Sequence, residues 1–195
     1  MRSIQPTLTL APDMSLRLFA ALDIPDDIAE RLLPLQKDIG GASWRPRENL
    51  HITLRFFGEV AEPIADDIDG ELSAIAENHA PFEIALKGAG TFGGSDPHAL
   101  WTGVAASEPL KNLAADCERA ARRAKLKPEP HAFKPHVTMA YLNNAPLDRV
   151  QSFEQRFALF ETPPFRVESF GLYSSFTRKS APSLYRLEAE YPLRG

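Results

Sequence analysis

The chain has 195 residues, of which 44% are hydrophobic, 25% charged and 9% aromatic; this is enough apolar material for one buried core and excludes a disordered, collagen-like or coiled-coil chain. Its 22 basic and 26 acidic side chains leave a net charge of −4, which rules out a general electrostatic surface for long nucleic acid and confines any RNA or nucleotide contact to a local site. One cysteine, no Cys/His cluster at zinc spacing and no apolar run near the ~20 residues of a membrane span predict a cytoplasmic protein without disulfide, metal or membrane anchor.

Met1 to Ser15, broken by Pro6 and Pro12, reads as a flexible extension. Leu16 to Leu22 is an apolar run that reads as a buried strand, and a helix capped by Asp26 follows, with Ile28, Leu32, Leu35 and Ile39 on one side. Pro34 inside that stretch predicts a kink or an early end. Leu50 to Phe57 reads as a strand stopped by Gly58, and Pro63 to Ala76 as a helix. Strands Phe82 to Phe92 and Ala99 to Ala105 flank the Gly93-Gly94 turn as a hairpin. Glu108 to Leu126 is the clearest helix, with Cys117 on its apolar stripe and so assigned to the core. After a Pro-rich loop come a strand at His136–Leu142, a helix at about Leu147–Phe160, and strands at Phe165–Phe176 and Leu184–Tyr191.

Shifting the sequence on itself by 83 to 85 residues aligns its halves, roughly 16–92 with 99–176. Pro81 to Ile84 faces Pro164 to Val167, and His51-Ile52-Thr53-Leu54 faces His136-Val137-Thr138-Met139. The expected architecture is α+β: two pseudo-symmetric lobes of antiparallel sheet with flanking helices around a central cleft, forming one bilobal domain over 16–195 with a closing strand at 184–191.

Alternation along a strand puts His51, Thr53 and Arg55 on one face and Ile52, Leu54 and Phe56 on the other; His136 and Thr138 share a face in the same way. With only eight threonines in the chain, two His-x-Thr triplets in matched register carry a signal. Two imidazoles and two hydroxyls converging on a cleft suit a tetrahedral phosphate, one imidazole taking a proton and the other giving one while the threonines donate to phosphate oxygens. No H-x-H, HExxH or phosphate-binding GxxxxGK[ST] motif is present, so neither metal nor ATP is called for. His79, His98 and His131 lack the threonine partner and are read as ordinary histidines.

The motifs and their flanks resemble the two-histidine (2H) phosphoesterases, and among them the RNA 2′,3′-cyclic phosphodiesterases, also called 2′-5′ RNA ligases. The similarity rests on Arg17 to Pro25, Glu48 to Glu59, Phe133 to Met139, and Leu172 to Arg178 as a closing strand and loop. It implies hydrolysis of RNA 2′,3′-cyclic phosphate ends to 2′-phosphates without a cofactor, with 2′-5′ joining as a side activity. A small cyclic-phosphate nucleotide, such as one derived from ADP-ribose, is the alternative substrate, and an idle nucleotide- or RNA-binding module the alternative class. Where members of the RNA-acting subgroup often carry arginine after the second motif, this chain has Tyr141, so Arg55 and Arg178 are the candidates for holding phosphate. Arg45, Arg47 and Lys134 are placed to rim the cleft, and Phe133, Tyr141 and Tyr173 to stack on a base. Phe56 is assigned to the core by alternation. The chain is expected to act as a monomer.

Overall fold

The computed structural model describes residues 16–176 and 182–195. The extension at 1–15 and Arg178 therefore lie outside the described residues.

Strand β1 (Leu16–Asp23) is followed two residues on by Pro25, which holds the N-cap position of α1 (Asp26–Leu32). Asp26 stands in the first helical turn instead of capping it, and there its charge complements the helix dipole. Pro34 converts the next stretch into a 3-10 turn, Leu33–Leu35, so the helix closes at Leu32 and Ile39 lies beyond it. A short strand that periodicity did not reveal, β2 (Ala42–Trp44), precedes β3 (His51–Val60). Gly58 does not stop β3; at φ +77° it carries the chain through a bulge, a conformation that costs glycine little.

Helix α2 (Glu62–Ala76) leads to two separate strands where one was expected, β4 (Phe82–Ile84) and β5 (Leu86–Phe92). The hairpin partner of β5 is β6 (Ala99–Val104). Helix α3 (Glu108–Arg123) starts with Ser107 as its cap, the hydroxyl accepting from the Leu110 N–H at 3.3 Å, and buries Leu110, Leu113, Cys117 and Ala121. Then follow β7 (His136–Leu142), α4 (Leu147–Arg156), β8 (Phe165–Val167), β9 (Ser169–Phe176) and β10 (Leu184–Pro192).

The main antiparallel sheet runs β10-β9-β1-β3-β7-β6-β5, with β2 added alongside β7. Outward from the β3/β7 seam, β1 and β6 and then β9 and β5 hold corresponding places. Strands β4 and β8 leave the main sheet and pair with each other, Phe82 opposite Val167 and Ile84 opposite Phe165. One face of the sheet is buried in a continuous core with the helices, Ile52 and Val137 at its seam being fully enclosed. The other face carries the polar motifs. No helix among the described residues is long and apolar enough to cross a membrane.

Candidate active site

The two lobes meet where Ile52 of β3 lies directly opposite Val137 of β7. His51 and Thr53 flank that pair on β3 and His136 and Thr138 flank it on β7, so the antiparallel crossing brings each histidine toward the other motif's threonine. Because Ile52 and Val137 point into the core, all four polar side chains point the other way, and all are half-buried. The motifs are thereby interlocked, each histidine facing the other motif's threonine.

Both imidazoles are held in the same manner. Nδ1 of His51 lies 3.0 Å from the Asn49 carbonyl, and Nδ1 of His136 lies 2.6 Å from the Lys134 carbonyl, in each case two residues back along the chain. A carbonyl only accepts, so Nδ1 carries the proton and Nε2 is left to exchange one with a substrate. Burial pushes His51 down from 6.5 to about 4, against the Asn49 carbonyl and with help from the charges of His136 and Arg45. His136 is also lowered by burial, the Lys134 carbonyl opposing and the Lys134 charge adding to the shift. Neither threonine hydroxyl has a hydrogen-bond partner among the described residues, so both are free to donate.

Aromatic rings wall each imidazole. His51 sits 5.1 Å from Phe19 and edge-on to Tyr185 at 5.2 Å; His136 sits edge-on to Phe92 at 4.8 Å, with Trp101 behind it at 6.3 Å. Lys134 lies over the Trp101 ring at 4.1 Å, a cation at the mouth of the second motif. From Thr53 and His136 a cavity of about 880 Å³ runs toward α3, lined by Phe56, Phe92, Phe133, His98, His131 and Lys111 among others. Phe133, a stacking candidate from the sequence, is one of the residues that line it. His98 and His131, read as ordinary histidines, also line this space, whereas His79 is paired with Asp116 at 2.9 Å elsewhere.

Three expectations need correction. Arg55 is not a free phosphate-binding cation: it lines the cavity toward α3 but is 8% exposed, its Nε meets Glu118 at 2.6 Å, and its guanidinium also bonds Glu129 and the Lys127 carbonyl. Phe56, assigned to the core, is instead 51% exposed on the cleft side against Phe19. The cause is a bulge. Ala21 pairs with Thr53 and Ala20 with Arg55, so Leu54 is passed over and alternation shifts by one residue after it. Met139 is passed over in the same way in β7, between Thr138 and Ala140, and Tyr141 emerges 50% exposed on the cleft side. Tyr173, the third departure, is set behind Phe19, stacked on it at 5.4 Å, with its hydroxyl bonded to Asp23.

Arg47, a rim candidate, is tied to Asp26 at 2.6 Å on the surface. Arg45, the other, is 5% exposed, and its Cζ lies 5.2 Å from the centre of the Tyr141 ring. Among the described residues no three His, Cys, Asp or Glu side chains converge to hold a metal ion.

A two-lobed α+β sheet with a pair of His-x-Thr strands meeting at its seam defines the 2H phosphoesterase fold. Residues 24–176 match the sequence model of the 2′-5′ RNA ligase superfamily, and the chain belongs to that family. It is 34% identical over 148 residues to the RNA 2′,3′-cyclic phosphodiesterase of Aeropyrum pernix, covering 73% of this chain and 83% of that one. It is 32% identical over 161 residues to the enzyme of the same name from Archaeoglobus fulgidus, covering 78% and 90%. Among solved structures, TT0787 of Thermus thermophilus superposes with a TM-score of 0.78 at 25% identity, over 92% of this chain and 99% of that one. Escherichia coli LigT, crystallised with 3′-AMP, shares the fold at a TM-score of 0.74 and 22% identity, over 93% and 100%.

Proposed function

We propose that this chain is a metal-independent RNA 2′,3′-cyclic phosphodiesterase that leaves a 2′-phosphate. The observation that carries the reading is the interlocked pair of motifs: two imidazoles with Nδ1 held by main-chain carbonyls, and a free hydroxyl opposite each. Family membership and the names of the curated relatives support the same substrate class.

The chemistry follows from that arrangement. A neutral imidazole takes a proton from water as its oxygen bonds to phosphorus, and the second imidazole, as imidazolium, gives a proton to O3′ as the P–O3′ bond breaks. The threonine hydroxyls donate to the non-bridging oxygens, whose charge grows in the transition state. The product carries a 2′-phosphate and a free 3′-hydroxyl, and the enzyme has moved one proton from one histidine to the other. A 5′-hydroxyl attacking in place of water gives a 2′-5′ linkage by the same steps. The half-exposed Phe56, Phe133 and Tyr141 offer aromatic faces to the bases of a single-stranded end.

Incubating the protein with an oligonucleotide ending in a 2′,3′-cyclic phosphate, in EDTA, tests the reading. The expected outcome is full conversion to the 2′-phosphate at a rate unchanged by the chelator. A 3′-phosphate product, or loss of activity in EDTA restored by zinc or manganese, overturns it.

A further inference from the structure

Arg45 is the most buried cation beside the motifs, and part of it is unused. Its backbone is fixed on both sides: the N–H donates to the Met139 carbonyl at 2.8 Å, and its carbonyl accepts from the Gln36 side chain at 2.9 Å. The guanidinium is thus delivered along β7 just beyond Thr138. There it packs over Tyr141 and donates to the hydroxyl of Tyr185, the same residue whose ring stands edge-on to His51 at 5.2 Å. Nη2 is buried and has no hydrogen-bond partner. No carboxylate among the described residues pairs with the group.

Such an arrangement is costly for the protein alone. A buried charge without a counter-ion loses hydration that its surroundings do not replace, and a buried N–H without an acceptor forfeits a hydrogen bond. The two tyrosines orient the guanidinium without neutralising it. What the position lacks is an anion, and the neighbouring groups, His51 and Thr138, are those that face a phosphate in the phosphodiesterase reading, on which this inference rests.

We infer that Arg45 binds the scissile phosphate, its free Nη2–H donating to a non-bridging oxygen at the His51 end of the cleft. Arg45 then stabilises charge that grows as water adds to phosphorus, so it acts on kcat as well as on KM. Held flat by Tyr141 and Tyr185, the guanidinium needs little further ordering to bind.

Inorganic phosphate is the probe, read by calorimetry and by the arginine Nε–H and Nη–H resonances of the labelled wild-type protein. The Arg45 signals are expected to shift on phosphate addition, and Arg45→Met is expected to weaken phosphate about tenfold or more and to lower kcat/KM for a cyclic-phosphate oligonucleotide by about 10²-fold. Arg45→Lys should recover part of both losses, which a purely packing role does not predict. Arg149→Gln, removing one charge from exposed α4, should change neither. Unshifted Arg45 resonances at saturating phosphate overturn the inference whether or not the Met variant folds. Weaker oligonucleotide binding with unchanged phosphate binding also overturns it, placing Arg45 on a neighbouring phosphate. If the wild type binds phosphate through Arg45 yet opens no cyclic phosphate, the anion site stands and the phosphodiesterase reading falls.

Discussion

Leu54 and Met139 occupy the same place in two different strands: each is the residue its neighbouring strand passes over, two positions before an exposed aromatic side chain. The paired bulges turn Phe56 and Tyr141 onto the face that carries the histidines and turn Arg55 toward Glu118 of α3. A wall of aromatic rings therefore continues each motif past its threonine.

Phe56 should consequently act on binding more than on chemistry. Stacking on a base is worth about 1–3 kcal/mol, so Phe56→Ala is expected to raise KM for an oligonucleotide roughly tenfold and leave kcat within about threefold. Steady-state kinetics on a cyclic-phosphate oligonucleotide check this; an equal fall in kcat at constant KM would assign Phe56 to the transition state.

Arg55 should matter for stability. It ties β3 to α3 through Glu118 and to the loop before β7 through Glu129 and the Lys127 carbonyl. Arg122 still pairs with Glu118 when Arg55 is gone, so the loss stays below that of an orphaned buried charge. Arg55→Gln is expected to cost about 1–3 kcal/mol in denaturant unfolding and to leave the salt dependence of KM parallel to wild type. A flattened salt slope would return Arg55 to the substrate.

The two histidines should be required together. His51→Ala and His136→Ala are each expected to lower kcat by about 10²–10⁴-fold with the fold retained, and Thr53→Val and Thr138→Val by about 10–10³-fold. A single histidine variant keeping more than about a tenth of wild-type turnover would remove it from the acid–base pair.

The pH profile of kcat/KM should be bell-shaped with its maximum below 6.5. Catalysis needs one neutral and one charged imidazole, and burial lowers both, His51 to about 4. Activity is lost as pH rises because the charged partner disappears, and as pH falls toward 4 because the neutral one does. Stability carries the same sign at the acid end: the unfolded chain binds the His51 proton more tightly, so stability present above pH 6.5 falls as pH drops toward about 4. His51→Gln should flatten that stretch of a denaturant-midpoint profile; an unchanged slope would show that His51 does not titrate low.

The candidate site was legible in the sequence because it is written in residue types at short range. Two His-x-Thr triplets at an offset of 85, each followed by an apolar partner on the opposite face, mark the two strands that meet at the seam, and alternation over three residues is safe. The strand at His136–Leu142, the helix from Glu108 and the buried Cys117 were equally readable, since each depends on local period and burial. Tertiary structure alone decided what lies beyond those three residues. A bulge is a mismatch with a neighbouring strand and leaves no mark in the strand's own pattern, so counting by twos put Arg55 beside His51 and Phe56 in the core, whereas Arg55 turns to Glu118 of α3 and Phe56 emerges exposed. Arg45 reaches the site only because a three-residue strand, too short to show a period, pairs with β7. The sequence by itself determined which groups are the candidates for the chemistry; the register between strands far apart in the chain decided which cation and which rings surround them.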